Sequence, residues 1–187
     1  MHPEKAALLA ASRRLHPACD RRGRKLPALW LFADDSRVPD PAAVLAGLPR
    51  SVGVVLRGRA AAGPIPRGRV VAVAGRLRPG CGLHLPASLL RRPPFGWRRA
   101  RFVTAAVHGV AEAVRARRLG VAIGFVSPLF ATASHPGARP LGRLRAARIA
   151  HLLPAAGFLG GVSAARVRGF SPAAFGAIEA LLDQPKV

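Results

Sequence analysis

The chain has 187 residues, half of them hydrophobic, so it can bury the core of one domain and is not a disordered protein. No apolar run reaches the roughly 18 residues needed to span a bilayer, which excludes a membrane-spanning helix. Cys19 and Cys81 give neither a disulfide framework nor a metal-binding spacing, and residues 1–25 lack the pattern of a signal peptide. We therefore expect a protein of the reducing cytoplasm.

The formal charge of +22 comes from 30 basic and 8 acidic residues, and nearly all of the basic residues are arginines. Such a charge is typical of proteins that bind nucleic acid or another polyanion. Against that interpretation, the arginines are scattered singly and in pairs, and few aromatic residues lie among them. No finger, RRM or helix-turn-helix pattern is present either. Nucleic acid is therefore not the expected main partner, and compositional bias explains the arginines as well as selection for charge does.

Apolar runs rich in β-branched residues alternate with helical patterns along the chain. Strands are predicted at residues 29–32, 52–56, 70–73, 83–85, 102–107, 121–126 and 158–162. Helices are predicted at residues 41–48, 110–119 and 141–153, the first with Asp40 as its N-cap. The side chains expected to face the sheet are Val110, Ala113, Val114 and Ala116 in one helix and Ala146, Ile149, Leu152 and Leu153 in another. Residues 174–182 fit either an eighth strand with a helical turn or one short helix.

Strands that alternate with helices indicate a parallel sheet, and eight such units indicate a (β/α)8 or TIM barrel. Residues 26–187 number 162, whereas TIM barrels typically take about 250 residues and seldom fewer than about 200. Glycine and proline interrupt the candidate helices after strands 2, 3 and 4. We predict a shortened α/β barrel over 26–187 with reduced helices after strands 2–4, preceded by a basic extension over 1–25 that holds a short helix at 4–15.

The missing helices raise the question of what covers strands 2–4. Their outward apolar residues would have no helix to pack against, and a large exposed apolar face is unusual on a monomer. We expect a partner subunit, as in a homodimer, or residues 1–25 to cover that face.

A polar loop follows the sixth predicted strand, in the stretch VAIGFVSPLFATASHPG of residues 121–137. Thr132, Ser134 and His135 lie in this loop, where hydroxyls, an imidazole and backbone amides can cradle an anion. In parallel α/β folds, binding and catalytic residues sit on loops at the C-terminal ends of the strands. The pattern fits both an anion-binding loop and an ordinary connection from strand to helix.

Seven short motifs, in order over residues 28–182, resemble those of thiamine phosphate synthases and their TenI relatives. The longest, VSPLFATASHPG, resembles the strand-6 signature G-P-V-F-x-T-x-[ST]-[KH]. The others are the opening strand at 29–34, VLRGR at 55–59, GLHLP at 82–86, VHG followed by AEA at 107–113, LGGV at 159–162 and FGAI at 175–178. VLRGR resembles the family motif Q-L-R-x-[KR], and GLHLP resembles G-V-H-L. VHG with AEA resembles S-x-H-S-x-x-E-A, and LGGV resembles A-I-G-G-I. FGAI lies where the final strand is expected.

The resemblance implies an enzyme that joins a hydroxymethylpyrimidine diphosphate to a thiazole phosphate and releases diphosphate. Arg57 and Arg59 match the basic pair on the diphosphate side. Thr132, Ser134 and His135 match the loop that grips phosphate oxygens, with His135 standing where synthases usually carry lysine. Because a histidine is only partly charged near neutral pH, this exchange weakens the grip.

The resemblance also assigns glycines to the second phosphate. Gly160 and Gly161 match the pair whose amides, at the start of a helix, meet the thiazole phosphate. His108 matches the histidine of the strand-5 motif, and we expect a satisfied, partly buried side chain there rather than an acid or base.

The family's Mg²⁺ site is the main departure. Synthases hold the ion through an Asn-Asp pair after strand 3 and an aspartate after strand 4. Here those places read VAGR at residues 73–76 and PAS at residues 86–88, without the carboxylate that Mg²⁺ usually needs. Ala106 replaces the serine before the strand-5 histidine, and Pro128 stands where the thiazole-tautomerase branch carries a histidine. Mg²⁺ is thus expected from the family, but its ligands are absent.

These observations favour a thiamine phosphate synthase/TenI-like barrel that binds a small phosphorylated ligand, with transferase activity as the first interpretation. One alternative is a non-catalytic phosphate-ligand binder or regulator on the same barrel, which the missing carboxylates favour. The other alternative is an arginine-rich nucleic-acid-binding protein in which the barrel is incidental.

Overall fold

The architecture is a closed barrel of eight parallel strands. The structure is a computed structural model that describes residues 2–182 except residues 36, 39, 133–136 and 138. Each strand pairs in parallel with the next along the chain, and the last pairs with the first. The strands are β1 (Leu29–Ala33), β2 (Gly53–Leu56), β3 (Val71–Ala74), β4 (Gly82–Leu85), β5 (Val103–Val107), β6 (Ile123–Val126), β7 (Ala156–Phe158) and β8 (Ala174–Ala177). The predicted TIM barrel is confirmed, and residues 174–182 form a strand followed by the 3-10 helix Glu179–Leu181.

Large aromatic rings fill the barrel, each opposite a glycine. Four rings are fully buried in the interior and belong to Trp30, Phe32, Phe102 and Phe125. A Cβ atom on Gly53, Gly176, Gly82 or Gly157 would lie closer than 3.0 Å to the ring of Trp30, Phe32, Phe102 or Phe125, respectively. The rings of Phe32 and Phe125 also meet edge to face, with centroids 4.9 Å apart. The glycines therefore make the room that the rings need.

Outer helices follow only some of the strands. The described chain has four α-helices, α1 (Pro3–Ser12), α2 (Pro41–Ala46), α3 (Val110–Arg118) and α4 (Gly142–Ala150). After β2 and β4 it has only the 3-10 helices Gly58–Ala61, Ala87–Leu90 and Trp97–Arg99, and between β3 and β4 it has no helix. The predicted reduction after strands 2–4 is confirmed, because the glycines and prolines there break every longer helical run.

Most of the predicted helix details hold. Asp40 caps α2 by accepting hydrogen bonds from the amides of Ala42 and Ala43. Ala113, Ala116, Ala146 and Ile149 are buried as expected, and so is Leu153 just after α4. Leu152 is half-buried and packs against the core, whereas Val114 is half-buried and is not part of that cluster. The prediction for Val110 is wrong, because this side chain is 57% exposed. As the first residue of α3, Val110 lies beyond the end of β5 and has no strand beneath it.

The expectation of an uncovered face on strands 2–4 is wrong. Val54, Val73 and Leu85 point outward and are fully buried. The connections themselves cover them, through apolar side chains that join the same cluster and belong to Ala61, Ile65, Leu77, Leu89 and Leu90. Short loops with a few apolar residues thus replace the outer helices, and the reason to expect a partner subunit on this face disappears.

The N-terminal segment also packs elsewhere than expected. Helix α1 lies against the 3-10 helix Glu179–Leu181 after β8, and the carboxylate of Glu4 accepts a hydrogen bond from the amide of Ala164. Residues 18–26 fold back on themselves, with the amide of Leu26 donating to the carbonyl of Ala18 at 2.8 Å. Leu26 enters the interior cluster with Trp30. Residues 18–26 therefore lie at the N-terminal end of the barrel, whereas α1 packs against residues that follow β7 and β8.

Candidate functional site

The C-terminal mouth of the barrel is lined by the residues that follow each strand. Because side chains alternate along a strand, an inward residue is followed two positions later by another. Phe32 and Val55 belong to the interior cluster, so Asp34 and Arg57 also face inward at the mouth. The side chain of Asp34 is engaged by Arg37, which lies three residues further along the chain. Arg57 is thus the inward-facing cation at this end of β2.

Arg57 is half-buried and has no hydrogen-bond or ion-pair partner for its guanidinium among the described residues. Its backbone amide donates to the carbonyl of Ala33 at 2.9 Å, which continues the ladder between β1 and β2 and fixes the residue. A guanidinium that has lost part of its water shell without gaining a protein acceptor favours binding of an anion. The mouth therefore holds an uncompensated positive charge.

His84 lies below Arg57 in the barrel interior. Its Nδ1 is 2.9 Å from the hydroxyl of Thr104, and its ring meets that of Phe32 edge to face at 5.5 Å. Burial, and secondarily the charge of Arg57, lowers the pKa of His84 to about 3. His84 is therefore neutral and forms a polar floor for the mouth. The motif GLHLP contains this residue, but the sequence alone indicates no role for it.

The neutral state of His84 predicts an acid-dependent loss of stability. Its pKa lies near 3 in the folded protein and near 6.5 in the unfolded chain, which therefore binds more protons between these pH values. Stability is expected to fall as pH falls through this window, by roughly 1.4 kcal/mol per pH unit. Urea unfolding between pH 7 and pH 4 measures the slope, and His84→Asn is the control that cannot titrate. Equal slopes for the two proteins would contradict the buried neutral imidazole.

The side chain of Arg59 extends into solvent, unlike that of Arg57. The side chain of Arg59 is 91% exposed, and its Nε lies 3.7 Å from Oδ2 of Asp35. Asp35 accepts hydrogen bonds from the amides of Arg59 and Ala60 and so caps the 3-10 helix that follows β2. A Cβ on Gly58 would collide with the same carboxylate. The predicted basic pair is therefore split, with Arg57 toward the interior and Arg59 toward solvent.

Gly160 and Gly161 tie the loop after β7 to the loop after β6. The amide of Leu129 donates to the carbonyl of Leu159 at 2.9 Å, and that of Phe130 to Gly160 at 3.1 Å. Both glycines have positive φ, +94° and +62°, and a Cβ on either would lie closer than 3.0 Å to this neighbouring segment. Their own amides donate to no acceptor in the described chain. The two glycines thus bring two loops together and leave two amide donors at the mouth.

The resemblance implied a helix that starts at these glycines. That prediction is wrong, because the described residues between β7 and β8 form no helix. In its place, residues 164–169 form turns, with the amide of Val167 donating to the carbonyl of Ser163 at 3.1 Å. The chain between β7 and β8 includes Gly169 and Pro172, which break a longer helical run. An anion near Gly160 and Gly161 therefore meets individual amides and no helix terminus.

Of the other predicted site residues, the structure describes Thr132 and His108. Thr132 ends the described part of the loop after β6 and has an interaction partner, whereas Ser134 and His135 lie outside the described residues. His108 is exposed, so the expectation of partial burial is wrong. It is satisfied as expected, because its Nδ1 donates to the carbonyl of Ser127 at 2.8 Å, and its backbone amide donates to Glu112.

The residues of the mouth do not fit Mg²⁺. The places after β3 and β4 carry no carboxylate, Asp34 is engaged by Arg37, and Asp35 is engaged by backbone amides. No group of three His, Cys, Asp or Glu side chains in the described chain could hold a metal ion. Because Mg²⁺ requires hard oxygen ligands, we derive no chemical step through this ion.

The fold is that of a TIM-barrel protein. We compared the chain with known protein families, curated proteins and solved structures. No protein-family model matches the chain, and no curated protein matches it. Among solved structures, it is similar to a thiamine phosphate pyrophosphorylase from Pyrococcus furiosus, with a TM-score of 0.55 and 14% identity over 83% of this chain and 88% of that chain. At this identity the similarity shows a shared fold. The fold relationship is the one that the motifs predicted. No described helix is long and apolar enough to cross a membrane.

Proposed function

We propose that this chain is a thiamine phosphate synthase/TenI-like protein that binds a phosphorylated thiazole- or pyrimidine-type ligand at the C-terminal mouth of its barrel. The observation that carries the proposal is Arg57, a half-buried guanidinium without an acceptor in the described chain. A phosphate or diphosphate group supplies the acceptors that this side chain lacks. The motif resemblance and the similar fold of a thiamine phosphate pyrophosphorylase support the same class of ligand.

The two substrates that the resemblance implies carry a diphosphate and a monophosphate, and these groups meet different parts of the mouth. Arg57 takes the diphosphate side, where its planar guanidinium donates two parallel hydrogen bonds to phosphate oxygens. Gly160 and Gly161 bind the monophosphate with their backbone amides. Thr132 belongs to the loop after β6, and its neighbour Ala131 contacts Gly161. Ser134 and His135 complete that loop in the sequence resemblance. The neutral His84 and the aromatic rings below it form an uncharged floor, suited to the ring of the ligand.

The reaction class that suits these contacts is transfer. The bond between the pyrimidine methylene carbon and diphosphate breaks, the thiazole nitrogen forms the new bond, and diphosphate leaves with the electron pair. Arg57 stabilises the negative charge that builds on the departing oxygens, which is electrostatic catalysis by a preorganised group. The second candidate function is binding or regulation without turnover, which the missing carboxylates after β3 and β4 favour. We place both functions in the cytoplasm, where Cys19 and Cys81 stay as free thiols.

Isothermal calorimetry tests the proposal. The protein is titrated with thiazole phosphate, thiamine phosphate and diphosphate, each with and without Mg²⁺. Saturable binding of at least one phosphorylated ligand at one site per chain is expected, and release of diphosphate from the two substrates together separates the enzyme from the non-catalytic binder. Absence of binding for all three compounds contradicts the proposed function.

The metal positions give a second, simpler prediction. Millimolar Mg²⁺ alone is expected to leave the Tm of the ligand-free protein unchanged, because an ion raises Tm only by binding to the native state. Thermal unfolding with MgCl₂, compared with the same ionic strength of NaCl, measures the effect. A rise in Tm specific to Mg²⁺, lost in Asp34→Asn, would show that the carboxylate of Asp34 leaves Arg37 and binds the ion.

A further inference from the structure

A second cationic region lies at the other end of the barrel, in the connection between β4 and β5. Residues 91–101 read RRPPFGWRRAR. The amide of Arg101 donates to the carbonyl of Cys81, just before β4 begins, at 3.2 Å. The guanidinium of Arg21, from the segment that lies at the N-terminal end, donates to the carbonyl of Arg98 at 2.6 Å. Arg98 and Arg101 therefore lie at the end of the barrel opposite the C-terminal mouth, and the ligand of this region is independent of the proposed function.

Phe95 is the most unusual residue of this connection. Its side chain is 96% exposed, although burial of a phenylalanine side chain is strongly favourable. Two residues later, Trp97 lies under two cations, with the guanidinium carbon of Arg98 at 4.9 Å and that of Arg21 at 5.9 Å from the ring centroid. The connection thus offers one uncovered aromatic face beside an aromatic ring already flanked by arginines.

The fold adds arginines that are distant in sequence. Four of them, from the end of the 3-10 helix Ala87–Leu90 and from α3, line one shallow depression together with Leu90 and Leu119, and they are Arg91, Arg92, Arg115 and Arg118. In the sequence, the arginines are scattered and few aromatic residues lie among them. In the folded chain, arginines of two elements meet in this depression, and Arg92 lies three residues before Phe95 in the sequence. We call residues 91–101 with Arg115 and Arg118 the basic-aromatic patch.

The charge of this patch is not balanced by acids. Residues 41–111 contain twelve arginines and no aspartate, glutamate or lysine. Six of the seven acids in the described chain accept a hydrogen bond from a backbone amide, and they are Glu4, Asp20, Asp34, Asp35, Asp40 and Glu112. Asp20 pairs with Arg101, and Glu112, on the first turn of α3, is the acid nearest to the patch along the chain. Most of its positive charge therefore remains for an external polyanion.

We propose that the basic-aromatic patch binds single-stranded nucleic acid, with a base stacked on Phe95 and phosphates held by the surrounding arginines. Stacking on an exposed aromatic ring needs an unpaired base, which favours a single strand over a duplex. Arginine binds phosphate oxygens in pairs and also stacks on bases. An anionic membrane fits less well, because Phe95 is the one large hydrophobic side chain exposed in the described part of this patch.

Fluorescence anisotropy with labelled oligo(dT), oligo(rU) and a duplex, each of about 12 nucleotides, tests the proposal. Single strands are expected to bind more tightly than the duplex, and comparing the two oligomers shows whether the ligand is DNA or RNA. Phe95→Ala is expected to weaken binding about tenfold, and Phe95→Trp is expected to preserve it. Leu144→Ala is the matched control, since Leu144 is 83% exposed on α4, away from the patch.

Two double variants, each lacking two arginines and therefore equal in net charge, test the role of the arginines in the patch. Arg91→Gln with Arg92→Gln is expected to weaken binding and to lower the salt slope by roughly 0.7 for each phosphate that no longer meets an arginine. Arg145→Gln with Arg148→Gln removes the same charge from α4 and is expected to leave that slope nearly unchanged. Equal weakening in the two variants, tighter binding to the duplex, or Phe95-dependent binding to phosphatidylglycerol vesicles without binding to the oligomers would each overturn the proposal.

Discussion

Replacing Arg57 with alanine is expected to weaken binding of diphosphate by roughly ten- to a hundredfold. The guanidinium is half-buried at the mouth and lacks a protein acceptor in the described chain. Its N–H donors are therefore available to the ligand. A hydrogen bond to a charged group contributes roughly 1.5–3 kcal/mol, and the expected range follows from losing about one such bond. Calorimetry with diphosphate on both proteins measures the change.

Two comparisons separate this effect from general electrostatics. Arg57→Lys keeps the charge but loses the planar pair of donors, so it is expected to fall between the native protein and Arg57→Ala. Arg145→Ala removes an exposed charge from α4 and is expected to leave binding unchanged. If Arg57→Ala and Arg145→Ala weaken diphosphate equally, binding is diffuse and the mouth is not the site.

Replacing Gly82 with alanine is expected to destabilise the barrel by about 3 kcal/mol, the upper part of the usual range for overpacking. The new Cβ would lie closer than 3.0 Å to three ring carbons of Phe102, and that ring is buried inside the barrel. For a chain of this length the loss corresponds to a fall in Tm of about 6–12 °C. Thermal unfolding measures it.

The cause of this destabilisation is checked by a control and a compensating change. Gly63→Ala is the control, because a Cβ there has an ordinary contact of 3.5 Å with the carbonyl of Ala60. Combining Gly82→Ala with Phe102→Leu is expected to cost less than the sum of the single changes, since the smaller side chain makes room. Strict additivity would show that the glycine and the ring do not compete for the same space.

The barrel could be predicted from the sequence because its determinants are local. Each strand is a short apolar run that ends at glycine, proline or charge, and eight such runs in parallel order permit few topologies. The reduced helices after strands 2–4 followed in the same way, since glycine and proline break helices wherever they occur. Asp40 and the proline after it marked the start of α2 for the same local reason.

Features that depend on contacts between distant segments could not be predicted in this way. The cover of strands 2–4 comes from loop side chains such as Leu77 and Leu89, and neither belongs to a periodic pattern. The outward turn of Arg59 depends on Asp35, 24 residues earlier in the chain. His84 was passed over because its burial beneath Arg57 is visible only when β2 and β4 lie in the same barrel.

The most direct test of the phosphate-binding mouth is a crystal structure of the protein with diphosphate bound. The proposed function predicts diphosphate at the C-terminal mouth, with its oxygens within hydrogen-bond distance of the guanidinium of Arg57 and on the same side of the barrel as Gly160 and Gly161. Diphosphate bound to surface arginines such as Arg91 and Arg92, with the mouth empty at saturating concentration, would contradict it.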